Sequence, residues 1–375
     1  MTDRADEPCP TQSVQDALDA VLESIMRPLV TLPRWKFLIE AVSGIIRCRT
    51  LIQRDIARVL DEMEKAPGTV ERRLGAHLND PVLADVVNTG LLRHAAPRVQ
   101  VYTPIAIDLT DTQRRHAWKT PGVEGNYERT VRNLADALGG SVGIDVMDRG
   151  MDSQRCFGCE LQYRRWFLVR LCDRRRKLPI PGLSSPVYPA DAVSHMAAWH
   201  TVRCRSFDKT SRSWKQRKCQ ITWCTTTVAV EYPNGTTEDR QFTFIVARRG
   251  RRTMFLLTNL TIDDAEDPVA FAKMLYEAYL ARWSVETCFD LMKNRIDVEK
   301  IFARTMEAAK NLFALAWLAV TCVMEAFPPD SLIAETVVSF FAKLHRCRPV
   351  RHIVYTVFTS LTRIWTRMAV AFSLH

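Results

Sequence analysis

Apolar positions along the first part of the chain recur at helical spacing. Val14, Leu18, Leu22 and Ile25 form one stripe behind a candidate cap at Ser13, and Phe37, Leu38, Ala41, Val42 and Ile45 form a second after Pro33. A third stripe, Leu51, Ile52, Ile56 and Leu60, runs up to the break at Lys65-Ala-Pro-Gly. The pattern predicts an N-terminal helical bundle over residues 1–95. Such a bundle is either a DNA-reading helix-turn-helix array or a packing module, and the turn chemistry does not choose between them.

After Pro97 the period changes. Short apolar runs at Val99 to Asp108, Val142 to Asp148 and Trp166 to Leu171 read as strands, with a helix between the first two from Tyr127 to Leu138 and a stop at Gly139-Gly140. Strands alternating with helices predict an α/β layer over 96–172. Pro179, Pro181, Gly182, Pro186 and Pro189 then punctuate a loop-like stretch, followed by β-rich runs at Cys219 to Tyr232, Arg240 to Ala247 and Thr253 to Thr258. Pro233-Asn-Gly reads as a hairpin turn joining the first two of these. Residues 173–260 are therefore expected to form a basic, β-rich domain. Helical periodicity returns over 261–325, and 326–375 reads as a C-terminal helical region.

Composition adds limits. The chain has 375 residues, 47% hydrophobic and 25% charged, enough for a large core and unlike a disordered or fibrous protein. The longest nearly charge-free apolar stretch, Leu312 to Met324, is shorter than the roughly 20 residues of a bilayer span, and the acidic start from Met1 to Glu7 is unlike a signal peptide. A cytoplasmic protein with no membrane partner is expected. Eleven scattered cysteines argue for reduced thiols, and Cys156-x2-Cys159 lacks the second ligand pair that a zinc site needs.

Net charge is +10, and residues 155–218 hold 15 Lys and Arg against 4 Asp and Glu, so this one stretch carries the whole surplus. Like charges so concentrated point to a polyanionic partner lying across them, a nucleic acid above all. Asp108 and Asp148 close two of the expected strands, the edge where α/β sheets build sites, with Asp111 and Asp145 as nearby rivals. A sharper pattern lies in Tyr279-Leu-Ala-Arg282-Trp-Ser-Val-Glu286-Thr-Cys-Phe-Asp-Leu-Met-Lys293. At about 100° per residue, with Tyr279 at 0°, Arg282 falls near 300°, Glu286 near 340° and Lys293 near 320°. A single helix is thus expected to pack on Leu280, Ala281, Val285, Cys288, Leu291 and Met292 and to present the polar stripe. Asp290, near 20°, rivals Glu286 on the same wheel, and Trp283 borders the stripe.

This segment resembles the Y-x2-R-x3-E-x6-K signature of the insertion-sequence-4 family of bacterial DDE transposases, in which Glu286 alone fits the acidic position. Asp108-Leu-Thr-Asp and Asp148-Arg-Gly-Met-Asp-Ser resemble the family's first and second Asp motifs, and the helices carrying Ile56-Ala-Arg-Val-Leu and Glu71-Arg-Arg-Leu resemble its N-terminal part. The resemblance implies an α/β fold with an RNase H-like catalytic core, split by a β-rich insertion domain and preceded by a helical bundle. It implies Asp108, Asp148 and Glu286 as catalytic residues and ligands of two Mg²⁺ ions, with Mn²⁺ as a possible substitute. Tyr279, Arg282 and Lys293 would bind DNA, and a homodimer on element ends and target DNA would act at the bacterial nucleoid. Such a core places two more strands before its first helix. Here Asp108 and Asp148 are forty residues apart, which leaves about 18 for both strands once the helix is counted. Three activities stay open: a transposase, a core-deleted remnant that only binds DNA, and a metal-dependent nuclease without strand transfer.

Overall fold

The structure, a computed structural model, describes residues 10–61, 67–107, 123–139, 142–196, 198–208, 213–282, 292–293, 296–298, 301 and 303–327. In chain order its helices open with α1 (Pro10–Met26), α2 (Leu32–Cys48), α3 (Gln53–Asp61), α4 (Pro67–Leu78) and α5 (Leu83–Ala95). Next come β1 (Pro104–Ile107), α6 (Val123–Leu138), β2 (Ile144–Met147), α7 (Gln154–Gln162), β3 (Trp166–Arg170) and the short α8 (Pro189–Ala192). The strands β4 (His200–Asp208), β5 (Ser213–Glu231), β6 (Thr237–Arg249) and β7 (Arg252–Thr258) precede α9 (Pro268–Ala281) and α10 (Met306–Ala326). The chain divides into two compact units. One joins Met1–Ala95 to Thr287–His375, and the other is the contiguous Ala96–Glu286.

The first unit is helical. Its core places Leu312, Leu315, Ala319 and Val323 of α10 among Leu22, Ile25, Leu38, Ile45 and Val87 of the N-terminal helices, all with almost no exposure. A helix apolar around most of its circumference is a core helix when other helices cover it. By length and composition α10 could cross a membrane, yet 61% of its apolar window is buried inside this unit. The charge-free window in the sequence looked too short because Glu307 and Lys310 interrupt the first turns; these two form an ion pair at 2.9 Å on the helix surface. One polar residue enters the core with every group matched to a partner. Asn311 accepts a hydrogen bond from the Ala84 amide at 2.7 Å and donates to the carbonyls of Leu78 (2.9 Å) and Asp80 (2.7 Å). It thereby fastens the α4–α5 turn to α10. On α1, Ser13 lies inside the helix instead of capping it, since the helix begins at Pro10.

The second unit is built on one seven-stranded mixed sheet of order β1-β2-β3-β7-β6-β5-β4. The first three strands are parallel, joined by α6 and α7, and the rest pair antiparallel. On one face α9 packs Leu275, Tyr276 and Tyr279 against Ile144, Leu168, Ile221, Ile245 and Leu256. On the other, the rings of Phe157 from α7, Phe167 from β3 and Phe242 from β6 stack within 5.3 to 6.1 Å of one another. Helix α7 lies so close to β5 that a Cβ on Gly158 would stand 2.1 Å from the Glu231 carbonyl oxygen. Only glycine fits there. The turn after β5 is the expected hairpin: Tyr232 donates to the Thr236 carbonyl at 2.8 Å and Gly235 takes a left-handed φ of 84°.

Two features differ from the sequence pattern. Strand β1 covers only Pro104–Ile107, because Val99 to Thr103 turns back on itself through Val99 N to Ala96 O and Thr103 N to Gln100 O hydrogen bonds. Strand β4 lies inside the basic stretch that reads as loop. It alternates with period two, but the alternation is between exposed cations (Arg203, Arg205) and residues turned toward α9 (Val202, Cys204), so an apolar-run criterion misses it. Part of the clustered positive charge is also spent internally. The Arg165 side chain has no solvent exposure and forms a bidentate pair with Asp145, and Arg176 reaches the buried Asp152 at 2.6 Å.

Candidate active site at the carboxyl edge of the parallel strands

Three elements end at one place in the sheet unit. Strand β2 runs into Asp148, whose carboxylate accepts from the Arg149 amide at 2.5 Å and so caps the single 3-10 turn Arg149–Met151. The capping oxygen is fixed by the chain itself, while the side chain stays 43% exposed. Strand β3 ends at Arg170, one position beyond the registered pair Met147 and Val169. Helix α9 ends at Ala281 with Arg282 as its C-cap residue.

Arg282 Nη2 stands 3.9 Å from Asp148 Oδ2, and its guanidinium carbon lies 6.0 Å from the centre of the Tyr279 ring. Tyr279 is only 3% exposed, and Arg170 donates a hydrogen bond to its hydroxyl. Burial pushes the Tyr279 phenol up from its ordinary value against the pull of Arg282 and Arg170, so it stays a neutral hydroxyl through the physiological range. The result is a half-open carboxylate facing the Arg282 guanidinium, with the buried Tyr279 phenol under the influence of both that group and Arg170. Guanidinium groups beside a carboxylate at a strand end can hold an anionic oxygen ligand in a fixed orientation next to an acidic group.

The expectation of one long helix presenting Tyr279, Arg282, Glu286 and Lys293 as a solvent-facing stripe is corrected for its first two members. Helix α9 stops at Ala281, and both Tyr279 and Arg282 are buried, the latter 8% exposed, because the helix lies flat on the sheet and its last turn faces the strand ends. Glu286 lies outside the described residues, as do its rival Asp290 and Trp283. Lys293 is exposed and belongs to the helical unit. Asp108 and its rival Asp111 also lie outside the described residues, but Ile107, the residue before Asp108, is in register with Met147, the residue before Asp148. Asp145 is removed as a rival to Asp148: its side chain is fully buried and both oxygens are taken by Arg165.

Arg170 is the member that sequence reasoning passed over. The signal was present, since Arg170 is the one charged residue inside the apolar run Trp166 to Leu171. In the described residues no three His, Cys, Asp or Glu side chains group as a metal site. Asp148 alone of the three expected ligands can be inspected. Its type and exposure suit a divalent cation that prefers oxygen donors. Cys156 and Cys159 lie on α7, where burial and the neighbouring Glu160 push the Cys159 thiol well up, so it stays protonated.

No protein-family model matches the chain, and no curated protein matches it in sequence.

Proposed function

We propose that the protein is a DDE transposase of the insertion-sequence-4 type, which cuts the ends of its element and joins the 3′-hydroxyls to target DNA. The observation that carries this reading is the meeting of Asp148, Tyr279 and Arg282, residues from distant motifs, with Arg282 3.9 Å from Asp148 at the carboxyl edge of parallel strands. The signature is a linear pattern, and nothing in a linear pattern requires its Tyr and Arg to lie beside an Asp more than a hundred residues upstream. The register of Ile107 with Met147 supports the pairing of the two Asp motifs on adjacent strands.

On this reading Asp108, Asp148 and Glu286 would hold two Mg²⁺ ions, for which Mn²⁺ could substitute, and when bound these supply charge stabilisation for in-line phosphodiester displacement. Arg282 grips a phosphate of the DNA strand through its planar fork, which lies beside the Tyr279 ring. The resemblance gives Lys293 as a further DNA-binding residue. The core would be RNase H-like, β4 to β7 would form its insertion, and the partners would be double-stranded DNA and a second copy of the chain.

A second reading, a DNA-binding remnant without cleavage, is favoured by one measurement. Strand β1 ends at Ile107 and α6 begins at Val123, an interval short for the two further strands of an RNase H-like core. Incubation of matched element ends with the wild-type protein, Glu286→Ala and Asp148→Ala in Mg²⁺ separates the two. Cleavage by the wild type alone supports the transposase. Equal cleavage by all three removes it, and salt-dependent binding with no cleavage by any of them supports the remnant.

A further inference from the structure

Strands β4 and β5 form an antiparallel ribbon at the end of the sheet, and its two faces differ sharply. Val202, Cys204, Cys219 and Ile221 turn toward α9 and are covered. The intervening residues turn the other way, and the register sets them opposite one another: Thr201 with Gln220, Arg203 with Lys218, and Arg205 with Gln216. Across the next ladder Gln220 faces Arg248, whose guanidinium lies 5.0 Å from the centre of the Trp199 ring. Arg203, Arg205 and Lys218 are exposed, and no carboxylate occurs in residues 200–206 or 215–220.

Arg203 directly opposite Lys218 is an unfavourable arrangement for folding, because directly opposed side chains in a ladder stand about 5 Å apart and like charges there repel. Neither residue makes an ion pair with a described residue. The face is therefore a row of cations with glutamine and threonine donors between them, on a strand at the edge of the described sheet. A membrane surface would need apolar anchors among the cations, and the described side chains on this face of the ribbon are all cationic or polar. An acidic protein partner would normally meet a more apolar centre. A two-stranded ribbon with polar donors and cations on one face fits the dimensions of the duplex major groove and the phosphates along its rim.

We infer that the outward face of the β4–β5 ribbon, with Arg203, Arg205, Lys218 and Arg248, is a phosphate-backbone contact for double-stranded DNA, separate from the carboxyl-edge site. The inference deepens the DNA-acting reading and rests on it for the choice of nucleic acid. The test uses the full chain in EDTA, so that no cleavage is required, and measures binding of a short mixed-sequence duplex across a salt series. Arg203→Gln/Lys218→Gln should lower the slope of log K against log salt by about 1.8, at about 0.9 per lost phosphate contact. Thermal stability should be equal or higher, since a like-charge pair has been removed. The control Arg251→Gln/Arg252→Gln removes the same charge from the exposed tip of the β6–β7 hairpin and should leave the slope unchanged.

An unaltered slope in the ribbon variant overturns the proposal, and so does an equal loss in the control. Tighter binding of single-stranded RNA or polyglutamate than of the duplex overturns it too. Cleavage of element ends together with an unaltered ribbon slope would sink this proposal alone. The expected slope change without any cleavage would sink the transposase alone.

Discussion

The guanidinium of Arg165 closes on the carboxylate of Asp145 through two hydrogen bonds of 2.9 and 2.7 Å, and neither side chain touches solvent. Arg165 also donates to the Val142 carbonyl at 2.7 Å, tying the start of β3 to the entry of β2. A buried pair of this kind adds little over an apolar replacement, but losing one partner strands a charge. Arg165→Met and Asp145→Leu should each cost about 3–5 kcal/mol, and the double variant much less than their sum. Urea denaturation of the four proteins in a double-mutant cycle measures this; additive losses would contradict it.

Glu160 lies beside the same pair, fully buried, and accepts a hydrogen bond from the Tyr127 hydroxyl. Burial, then the charge of Asp145, pushes its carboxyl well above the ordinary range, against the pull of Tyr127 and Arg165. A carboxyl raised in the folded state contributes stability that is complete below its unfolded pKa of about 4.3 and is lost as pH rises toward the folded value. Glu160→Gln keeps the shape without the titration. Its stability should fall less steeply with rising pH than that of the wild type, by up to one proton's worth, about 1.4 kcal/mol per pH unit. Chemical denaturation across a pH series provides the check, and parallel curves would refute the assignment.

At the carboxyl edge, Tyr279→Phe removes the oxygen that receives Arg170 while keeping the ring in the core. Stability should change by no more than about 1.5 kcal/mol. On the proposed transposase reading, strand cleavage per folded molecule should fall about tenfold, because Arg170 loses the hydroxyl that orients it, and Arg282→Lys should fall at least as far since an ammonium cannot reproduce the fork. Single-turnover kinetics with denaturation midpoints measured in parallel decide it. A stability loss with unchanged cleavage would mark the tyrosine as packing alone.

Gly158→Ala places a methyl group against backbone that has no side-chain freedom to yield, 2.1 Å from the Glu231 carbonyl oxygen. Overpacking against a rigid neighbour costs about 1–3 kcal/mol or more. The unfolding midpoint should drop accordingly, whereas Gly182→Ala, with nothing within 4 Å but a φ of 83°, should show the smaller cost of backbone strain.

Helices with a clean apolar stripe were legible from sequence, as was the hairpin at Pro233-Asn-Gly, because each depends on local chemistry. Strand β4 was not, since the apolar part of its buried face is Val202 and Cys204, with the polar Ser206 beside them, and its other face is cationic. The site was half legible. Motif spacing singled out Asp148, Tyr279 and Arg282, but it suggested an exposed stripe where the last turn of α9 is buried against strand ends. Arg170 was hidden because its role comes from parallel register with β2, a relation between residues far apart in sequence. Asp145 and Asp148 looked equivalent on the chain, and the pleat separates them: one points into the α7 side of the sheet, the other lies beyond the last paired residue.

The division of the chain also sets an order on its synthesis. The sheet unit is one uninterrupted stretch, Ala96–Glu286, and all its strands have left the ribosome before α10 is made. The helical unit needs α10 to fill its core, so α1 to α5 must wait, with Leu22, Leu38 and Ile45 incompletely covered, while more than two hundred further residues are translated. At about 5–20 residues per second this is a delay of roughly 10–40 s. Nascent chains arrested before Met306 should therefore hold a folded sheet unit behind an N-terminal segment that is still a substrate for chaperones.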